Sequence, residues 1–377
     1  MKKHKFKLIP FFIVAVFLIL ITPSIKAQTA DNNSDAIGVR IIPNPNHYSV
    51  YRWYESQGFS GSPQSLTVDG YEALRDGRTV YVNAANADTN AKVIYTNIYL
   101  ISYNQEPSVK TVDILGQIIS HWKFNDNLPL EVSTCSISAI KCEQDSDCAS
   151  NQTCSLNSGN CTLKELKNCS VDEDCPASFF CASLKAKIIR DLKRVGKVEE
   201  IKEALASYRK VNGRYPLLSA GTYLKGKSVS LWPSWNDVLI PALAVKQNII
   251  DPINSLGACP GFNPKTCWDN NIKKFVYDPV GASLKLPKDS YAFVYGTNDS
   301  GSDYNLCAVL ETHSGPNYTF APNDPTSSNC VTDTGILNTG NSSNSAPRIT
   351  NLSLKGISGT EYNGFVKAVD DDNDPLT

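Results

Sequence analysis

A tandem cysteine repeat constrains the fold of this chain more than any other feature of its sequence. The segments 142–154 ("CEQDSDCASNQTC") and 169–181 ("CSVDEDCPASFFC") share the pattern C-x2-D-x-D-C-x5-C. One further cysteine precedes each segment, at Cys135 and at Cys161. This spacing predicts two consecutive four-cysteine units within 135–181, each able to form two disulfides. Few large apolar side chains lie between the cysteines, so units this small depend on their bridges for stability.

The N-terminus predicts that these cysteines oxidise outside the cytoplasm. A basic segment, "MKKHKFK", precedes "LIPFFIVAVFLILI", an apolar run of about 14 residues. That run is shorter than the roughly 20 residues of a membrane-spanning helix. We therefore interpret residues 1–27 as a signal peptide cleaved after Ala27. The alternative is an uncleaved anchor, which would also place the remaining chain outside. All twelve cysteines can pair there, because their number is even.

Zinc is the alternative to disulfides in the cysteine block. Zinc sites usually contain C-x2–4-C pairs, however, and an oxidising compartment consumes the thiols that they need. The aspartates of the repeat are candidate calcium ligands, although turn and capping roles are more common for this residue type; they are Asp145, Asp147, Asp172 and Asp174. The cysteine spacing resembles that of small extracellular modules of the Dickkopf or EB type.

Residues 37–128 are predicted to form a small mixed domain of the α/β type. The segments 79–84 and 93–103 are rich in β-branched and aromatic residues, which favours strands. Apolar residues at helical spacing predict a helix over 108–124. The aromatic-rich segment "NPNHYSVYRWY" (44–54) is interpreted as core packing, with a sugar-stacking surface as the alternative.

A long helix follows the cysteine block. One apolar stripe steps by threes and fours through Ile188, Leu192, Val195, Val198, Ile201, Leu205 and Tyr208. The opposite charges Asp191/Arg194 and Glu199/Lys202 are expected on its outer side. Asn212 and Gly213 predict a left-handed stop before Pro216. The pattern predicts a helix that docks on a sheet, and its charged face excludes a membrane span.

The segment "RDLKRVGKVEEIKEALASYRKVNGRYP" resembles the second half of the long helix of type IV pilins and type II secretion pseudopilins. The resemblance continues through "WPSWNDVLIPAL", "IIDPIN" and "YAFVYGTNDSGSDYNLCAVLE" and covers about 185–330. It implies a helix packed on a small antiparallel sheet, with two late strands joined by a polar loop. Pilins begin this helix with a cleaved leader and an apolar segment, whereas here it follows Cys181 directly. The head is therefore expected to be a borrowed module rather than a filament subunit.

The pseudopilin resemblance also suggests a calcium site. Some pseudopilins bind calcium in a loop between late strands, and the matching loop here is 298–303, with Asp299 and Asp303 as candidate ligands. The alternative is a hairpin loop built from glycine and Asx turns. Two bridges are expected in this head, Cys259–Cys267 and Cys307–Cys330.

The C-terminal part is predicted to be a linker and the start of another domain. Residues 331–346 are rich in Ser, Thr, Asn and Gly, as linkers are. In 347–377, two alternating segments predict strands, and "AVDDDNDPLT" resembles the signature of cadherin-like and dystroglycan-type Ig-like repeats. The resemblance implies calcium ligation by Asp370, Asp372 and Asp374. Such a sandwich needs about 100 residues, so the last domain is expected to be incomplete. An exposed acidic turn without metal is the alternative.

These segments together predict a multidomain α+β chain: a mixed N-terminal domain, a disulfide-rich module, a pilin-like head and an incomplete β-sandwich. A net charge of −1 gives no basis for binding nucleic acid. We expect an exported, non-catalytic cell-surface protein whose partner is an unidentified surface protein or glycan. Calcium is the one candidate cofactor, and membrane contact is expected only through a signal or anchor segment.

Two other functions are alternatives. One is a component of a pilus or of type II secretion. The other is a hydrolase of glycans or peptides, in which the N-terminal domain would act. Its available acid–base groups would be His47, Glu72, Asp113 and His121, none of which lies in a recognisable catalytic motif.

Overall fold

A computed structural model gives the fold. It describes residues 35–88, 93–104, 107–125, 128, 133–218, 223–245, 249–278 and 284–312, together with the backbone of 329–332, 348–349 and 368–369. The predicted signal peptide, most of the predicted linker and most of the C-terminal segment lie outside these residues.

The N-terminal part is a five-stranded sheet in the order β1-β5-β4-β3-β2. Its strands are β1 (Ile37–Pro43), β2 (Gln64–Val68), β3 (Tyr71–Asp76), β4 (Thr79–Asp88) and β5 (Val93–Tyr103). The two predicted strands are confirmed. Every neighbouring pair is antiparallel, so the expected α/β type is wrong and the part is α+β. Short connections explain the difference: two residues join β2 to β3 and β3 to β4, and four join β4 to β5, whereas parallel neighbours would need long crossovers.

Two helices cover opposite faces of this sheet. Helix α1 (Val50–Ser56) buries Trp53 and Tyr54 against Tyr81, which confirms core packing for the aromatic-rich segment. Helix α2 (Val109–His121) confirms the predicted helix and buries Leu115 on the other face, with Val82. Strands bury residues on both faces because successive side chains alternate.

The cysteine module contains three short two-stranded ribbons: β6–β10, β7–β11 and β8–β9. Their strands are β6 (Ser133–Thr134), β7 (Ile137–Ser138), β8 (Gln152–Ser155), β9 (Asn160–Leu163), β10 (Asn168–Cys169) and β11 (Phe179–Phe180). The predicted partition into two consecutive units is wrong. The bridges are Cys135–Cys175, Cys142–Cys154, Cys148–Cys161 and Cys169–Cys181.

The two repeats differ in whether the middle cysteine pairs with a later or an earlier cysteine of the chain. In each repeat the first cysteine pairs with the third. The middle cysteine of the first repeat, Cys148, pairs with the later Cys161, whereas Cys175 of the second repeat pairs with the earlier Cys135. The N-terminal strands β6 and β7 therefore belong structurally to the second repeat.

Helix α3 (Leu184–Asn212) is the longest element. The Ser183 hydroxyl accepts a hydrogen bond from the Ala186 amide and so caps the N-terminus of α3. Gly213, with φ 71°, ends the helix. The predicted left-handed stop is confirmed.

The head consists of a four-stranded antiparallel sheet and its connections. The sheet has the order β12-β15-β16-β17, with β12 (Lys227–Val229), β15 (Val294–Thr297), β16 (Tyr304–Ala308) and β17 (Asn329–Thr332). A π-helix (Ser234–Leu239) leads into α4 (Ile240–Leu243), and β13 (Trp268–Asp269) pairs with β14 (Lys274–Phe275). The predicted hairpin with a polar loop is β15–β16. Further on, β18 (Arg348–Ile349) pairs with β19 (Ala368–Val369).

Helix α3 lies between the two sheets and contributes to one hydrophobic core with both. It contacts β4 of the N-terminal sheet, and β16 and α4 of the head. Its predicted apolar stripe is confirmed from Ile188 to Leu205, all buried. A second buried stripe, which includes Ile189 and Gly196, faces the N-terminal sheet. The predicted boundaries 37–128 and 185–330 therefore do not separate two cores.

Candidate functional site

The most unusual polar feature of the described residues is a buried ion network on α3. Two arginines one turn apart, Arg190 and Arg194, are both fully buried. Arg190 donates to both carboxylate oxygens of Glu311, with distances of 2.6 and 2.8 Å. Arg194 donates to both oxygens of Asp251, at 2.7 and 3.1 Å, and also to Glu311 at 2.6 Å. Such paired contacts match the planar fork of a guanidinium.

Two more carboxylates complete the network. Asp191 accepts from Arg194 at 2.8 Å, and Asp172 of the second cysteine repeat accepts from Arg190. Backbone amides supply further donors: those of Glu311 and Thr312 donate to Asp191. Four carboxylates thus surround two guanidiniums, and the amides offset part of the excess negative charge.

The burial of this network corrects one expectation. Asp191 and Arg194 were expected on the outer side of the helix, yet both side chains are fully inaccessible. The i,i+3 pair does form, but it faces the head. The pKa of Glu311 is subject to burial, which would raise it, but Arg194 and Arg190 hold it below its ordinary value. Burial alone would lower the pKa of Arg194, but Asp251 and Glu311 hold it well above its ordinary value.

The network joins three parts of the chain: the second cysteine repeat, α3 and the head. The space between α3 and the N-terminal sheet, lined by Tyr71, Asn83 and Gly196 among others, measures about 10 Å³, room for about one water molecule. The network therefore holds these three parts of the chain together.

The repeated aspartates have turn roles, as the sequence favoured. Asp147 and Asp174 each accept two backbone amides at the start of a 3-10 turn. Asp145 accepts the amide of Cys154, and Asp172 accepts the amide of Cys181, at the equivalent place. These bonds hold the pKa values of Asp145 and Asp147 below their ordinary range.

The loop 298–303 does not converge on a cation site. The Asn298 side chain accepts from Ser300 and from the Ser302 amide, which makes an Asx turn. Asp303 accepts the Tyr304 amide, and Asp299 extends into solvent and pairs with Lys225 at 3.1 Å. Calcium prefers six to eight converging oxygens, which this arrangement does not fit.

The other predicted metal ligands, Asp370, Asp372 and Asp374, lie outside the described residues. Within the described part, the clusters of three potential ligands consist of cysteines that form disulfides. The thiolates that zinc requires are consumed there. In the head, the Cys259–Cys267 bridge is confirmed. Cys307 is disulfide-bonded and lies opposite Cys330 in the register of β16 and β17.

The four acid–base candidates are on separate elements. His47 lies in the loop before α1, Glu72 on β3, Asp113 in the exposed part of α2, and His121 at the end of α2. The His121 ring contacts the carbonyl of Gln117, one turn earlier. His47 contacts the Thr96 hydroxyl at 3.0 Å. That hydroxyl donates its hydrogen to Asn44, so His47 Nδ1 is the donor in this contact.

His47 predicts a pH dependence of stability. Burial, and secondarily Lys202, lowers the pKa of His47 to about 4. Because the unfolded chain titrates near 6.5, the unfolded state binds more protons below that pH, so acid favours unfolding. We expect the free energy of unfolding to fall by about 2 kcal/mol from pH 7 to pH 5. The His47→Asn variant, which keeps a donor and tolerates the positive φ of 51°, should lose this slope in denaturant titrations. An unchanged slope would contradict the assignment.

Comparison with protein-family models, with curated proteins and with solved structures finds no match for this chain. Among the described helices, none is both long enough and apolar enough to cross a bilayer.

Sequence reasoning missed the ion network, although Asp191 and Arg194 were noted as a pair. The other partners of Arg194, Asp251 and Glu311, are 57 and 117 residues from it in the chain, and no local pattern connects them. The sequence does contain a signal for the contact of α3 with the N-terminal sheet, because Ile189 and Gly196 interrupt an otherwise charged face of the helix.

Proposed function

We propose that this protein is exported and acts, without catalysis, at the cell surface, where it holds small modules in a fixed arrangement for adhesion or envelope contact. The observation that carries the proposal is the joint built from the disulfide module, α3 and the head. Five bridges within 135–267 and the buried arginine network fix segments that the sequence alone would treat as separate domains.

The disulfides support the location. Bridges of this density persist in oxidising compartments and are rare in the cytosol. They are compatible with an extracellular protein, and the partner is proposed to be a surface protein or a glycan. Calcium, if it takes part, is proposed to bind at Asp370, Asp372 and Asp374, in company with further strands.

Cell fractionation with thiol labelling tests the location. The full chain is expected in the surface or extracellular fraction, with no cysteine alkylated by iodoacetamide before reduction and twelve alkylated afterwards. Recovery in the cytoplasm with free thiols would refute export. For the adhesive role, immobilised protein should retain cells or envelope glycans, and the same protein reduced and alkylated should not. Equal retention by both forms would count against a role for the fixed arrangement.

A pilus or secretion component is the second candidate. It is favoured by a 29-residue helix that packs on a four-stranded antiparallel sheet in the head. Against it, the face of α3 opposite the head is covered by this chain's own N-terminal sheet, so it is not available to neighbouring subunits. Co-purification with filaments would favour this candidate, and recovery as a protein free of filaments would favour the first.

A further inference from the structure

The two cysteine repeats are internally equivalent. Positions 27 residues apart make the same bonds: the first aspartate of each repeat accepts the amide of the third cysteine, at 2.7 Å in the first repeat and 2.9 Å in the second. The disulfides Cys142–Cys154 and Cys169–Cys181 each span 12 residues, with Cα atoms 5.8 Å apart. They differ in what lies around them.

The second repeat shares a hydrophobic cluster with the start of α3, in which Cys169, Phe179 and Cys181 pack with Ala186. The carboxylate of Asp145 in the first repeat accepts a second hydrogen bond from the hydroxyl of Thr153, which belongs to the same repeat. The equivalent carboxylate in the second repeat, that of Asp172, instead forms an ion pair with the buried guanidinium of Arg190. The carbonyl of Cys181 also accepts from Arg190, at 3.0 Å. Cys181 thus positions two of the oxygen atoms that surround this arginine, one of its own and one on Asp172.

The same disulfide also fixes the start of α3. Ser183, two residues after Cys181, caps the helix and donates its hydroxyl to the carbonyl of Ser170, which adjoins Cys169. Val171 of the same turn packs with Ile189 of α3 in the shared core. The Cys169–Cys181 disulfide therefore joins the two segments that contact the N-terminus of α3, one at Ser170 and Val171 and the other at Ser183.

We propose that oxidation of Cys169 and Cys181 is the step that docks the N-terminal end of α3, so that this fold contains a redox-dependent latch. The oxidant is a disulfide such as oxidised glutathione. The two thiols are oxidised to the protein disulfide, the oxidant is reduced to two thiols, and the two protons pass from the cysteines to those products. Before this step, the Asp172 carboxylate and the Cys181 carbonyl are not held in the positions where they accept hydrogen bonds from Arg190.

The first repeat supplies a matched control. Because both loops have the same length, removal of either bridge releases a similar amount of unfolded-state entropy. The second bridge is coupled to the contacts of a fully buried guanidinium, whereas the charged contact beside the first, from Lys141 to the Leu256 carbonyl, is only half-buried. Charged hydrogen bonds of the fully buried kind are typically strong. Coupling is reciprocal, so docking must stabilise the disulfide by the factor with which the disulfide stabilises docking.

The test compares the double variants C142A/C154A and C169A/C181A of the full chain in denaturant titrations. We expect the second to increase the unfolding equilibrium constant at least about tenfold more than the first. Adding Arg190→Met should then have a smaller effect in the C169A/C181A background than in the C142A/C154A background. Equal losses in the two double variants, or an Arg190→Met effect that is the same in both backgrounds, would overturn the proposal.

If a double variant fails to fold, the native protein still provides the measurement. Equilibration in glutathione buffers, followed by alkylation and peptide mass spectrometry, gives the oxidation equilibrium constant of each pair. That constant should be at least about tenfold larger for Cys169–Cys181 than for Cys142–Cys154. Equal constants would refute the latch.

Discussion

Replacing Arg194 with methionine is expected to lower the free energy of unfolding by about 3 to 5 kcal/mol. Methionine fills much of the volume but removes the charge that neutralises Asp251 and Asp191, both fully buried. Glu311 keeps Arg190 and is affected less. The cost therefore comes from carboxylates left in the interior without a counter-charge, more than from the lost contacts themselves.

Arg52→Met is the matched control for this prediction. Arg52 also pairs with a glutamate, Glu203, at 2.9 Å, but the two side chains are 41% and 35% exposed. Exposed pairs are screened by water, so this change should cost less than about 1 kcal/mol. Urea titrations of both variants with circular dichroism decide the matter. Similar midpoints for the two variants would show that the network on α3 does not stabilise the fold.

Local features of the fold could be predicted from the sequence, because their causes are local. Helix α3 follows from the periodicity of its apolar residues. Its end follows from Gly213, a residue type that readily adopts the left-handed φ of 71° seen there. Strand β5 follows from its β-branched and aromatic run. The bridge Cys259–Cys267 closes a loop of only 8 residues.

Features that depend on distant residues could not be predicted. Spacing identifies the cysteines of the repeat but not their partners, since eight cysteines allow 105 pairings. The backward closure of Cys175 onto Cys135 spans 40 residues and depends on how β6 pairs with β10. Likewise, a charged residue on a helix reads as exposed until a buried partner is known, and Arg190 finds its partner at Glu311.

The same limit explains the domain boundaries. An N-terminal sheet with one face against α1 must cover its other face, and sequence patterns do not say with what. The structure covers it with α2 and α3, so one helix serves two sheets. The face of α3 toward the N-terminal sheet is mostly charged in sequence, and only Ile189 and Gly196 indicate that it is partly buried.

The turn between β2 and β3 provides the most direct test of that shared core. Gly70, with φ 85°, follows Asp69 in a two-residue turn. Its Cα lies beside the contact between α3 and the second cysteine repeat. A methyl group added there would lie 2.9 Å from both Ile189 and Val171. Gly70→Ala therefore combines backbone strain of about 1 to 2 kcal/mol with overpacking of about 1 to 3 kcal/mol.

Gly77→Ala separates these two costs. Gly77 also has a positive φ, 54°, in the next turn of the same sheet, but a methyl group there meets nothing within 4 Å. It should cost only the strain, about 1 kcal/mol. Thermal unfolding of the two variants should place Gly70→Ala clearly lower. If the two melting temperatures coincide, the N-terminal sheet is not packed against α3 and the second repeat in solution, and the protein is a chain of independent modules.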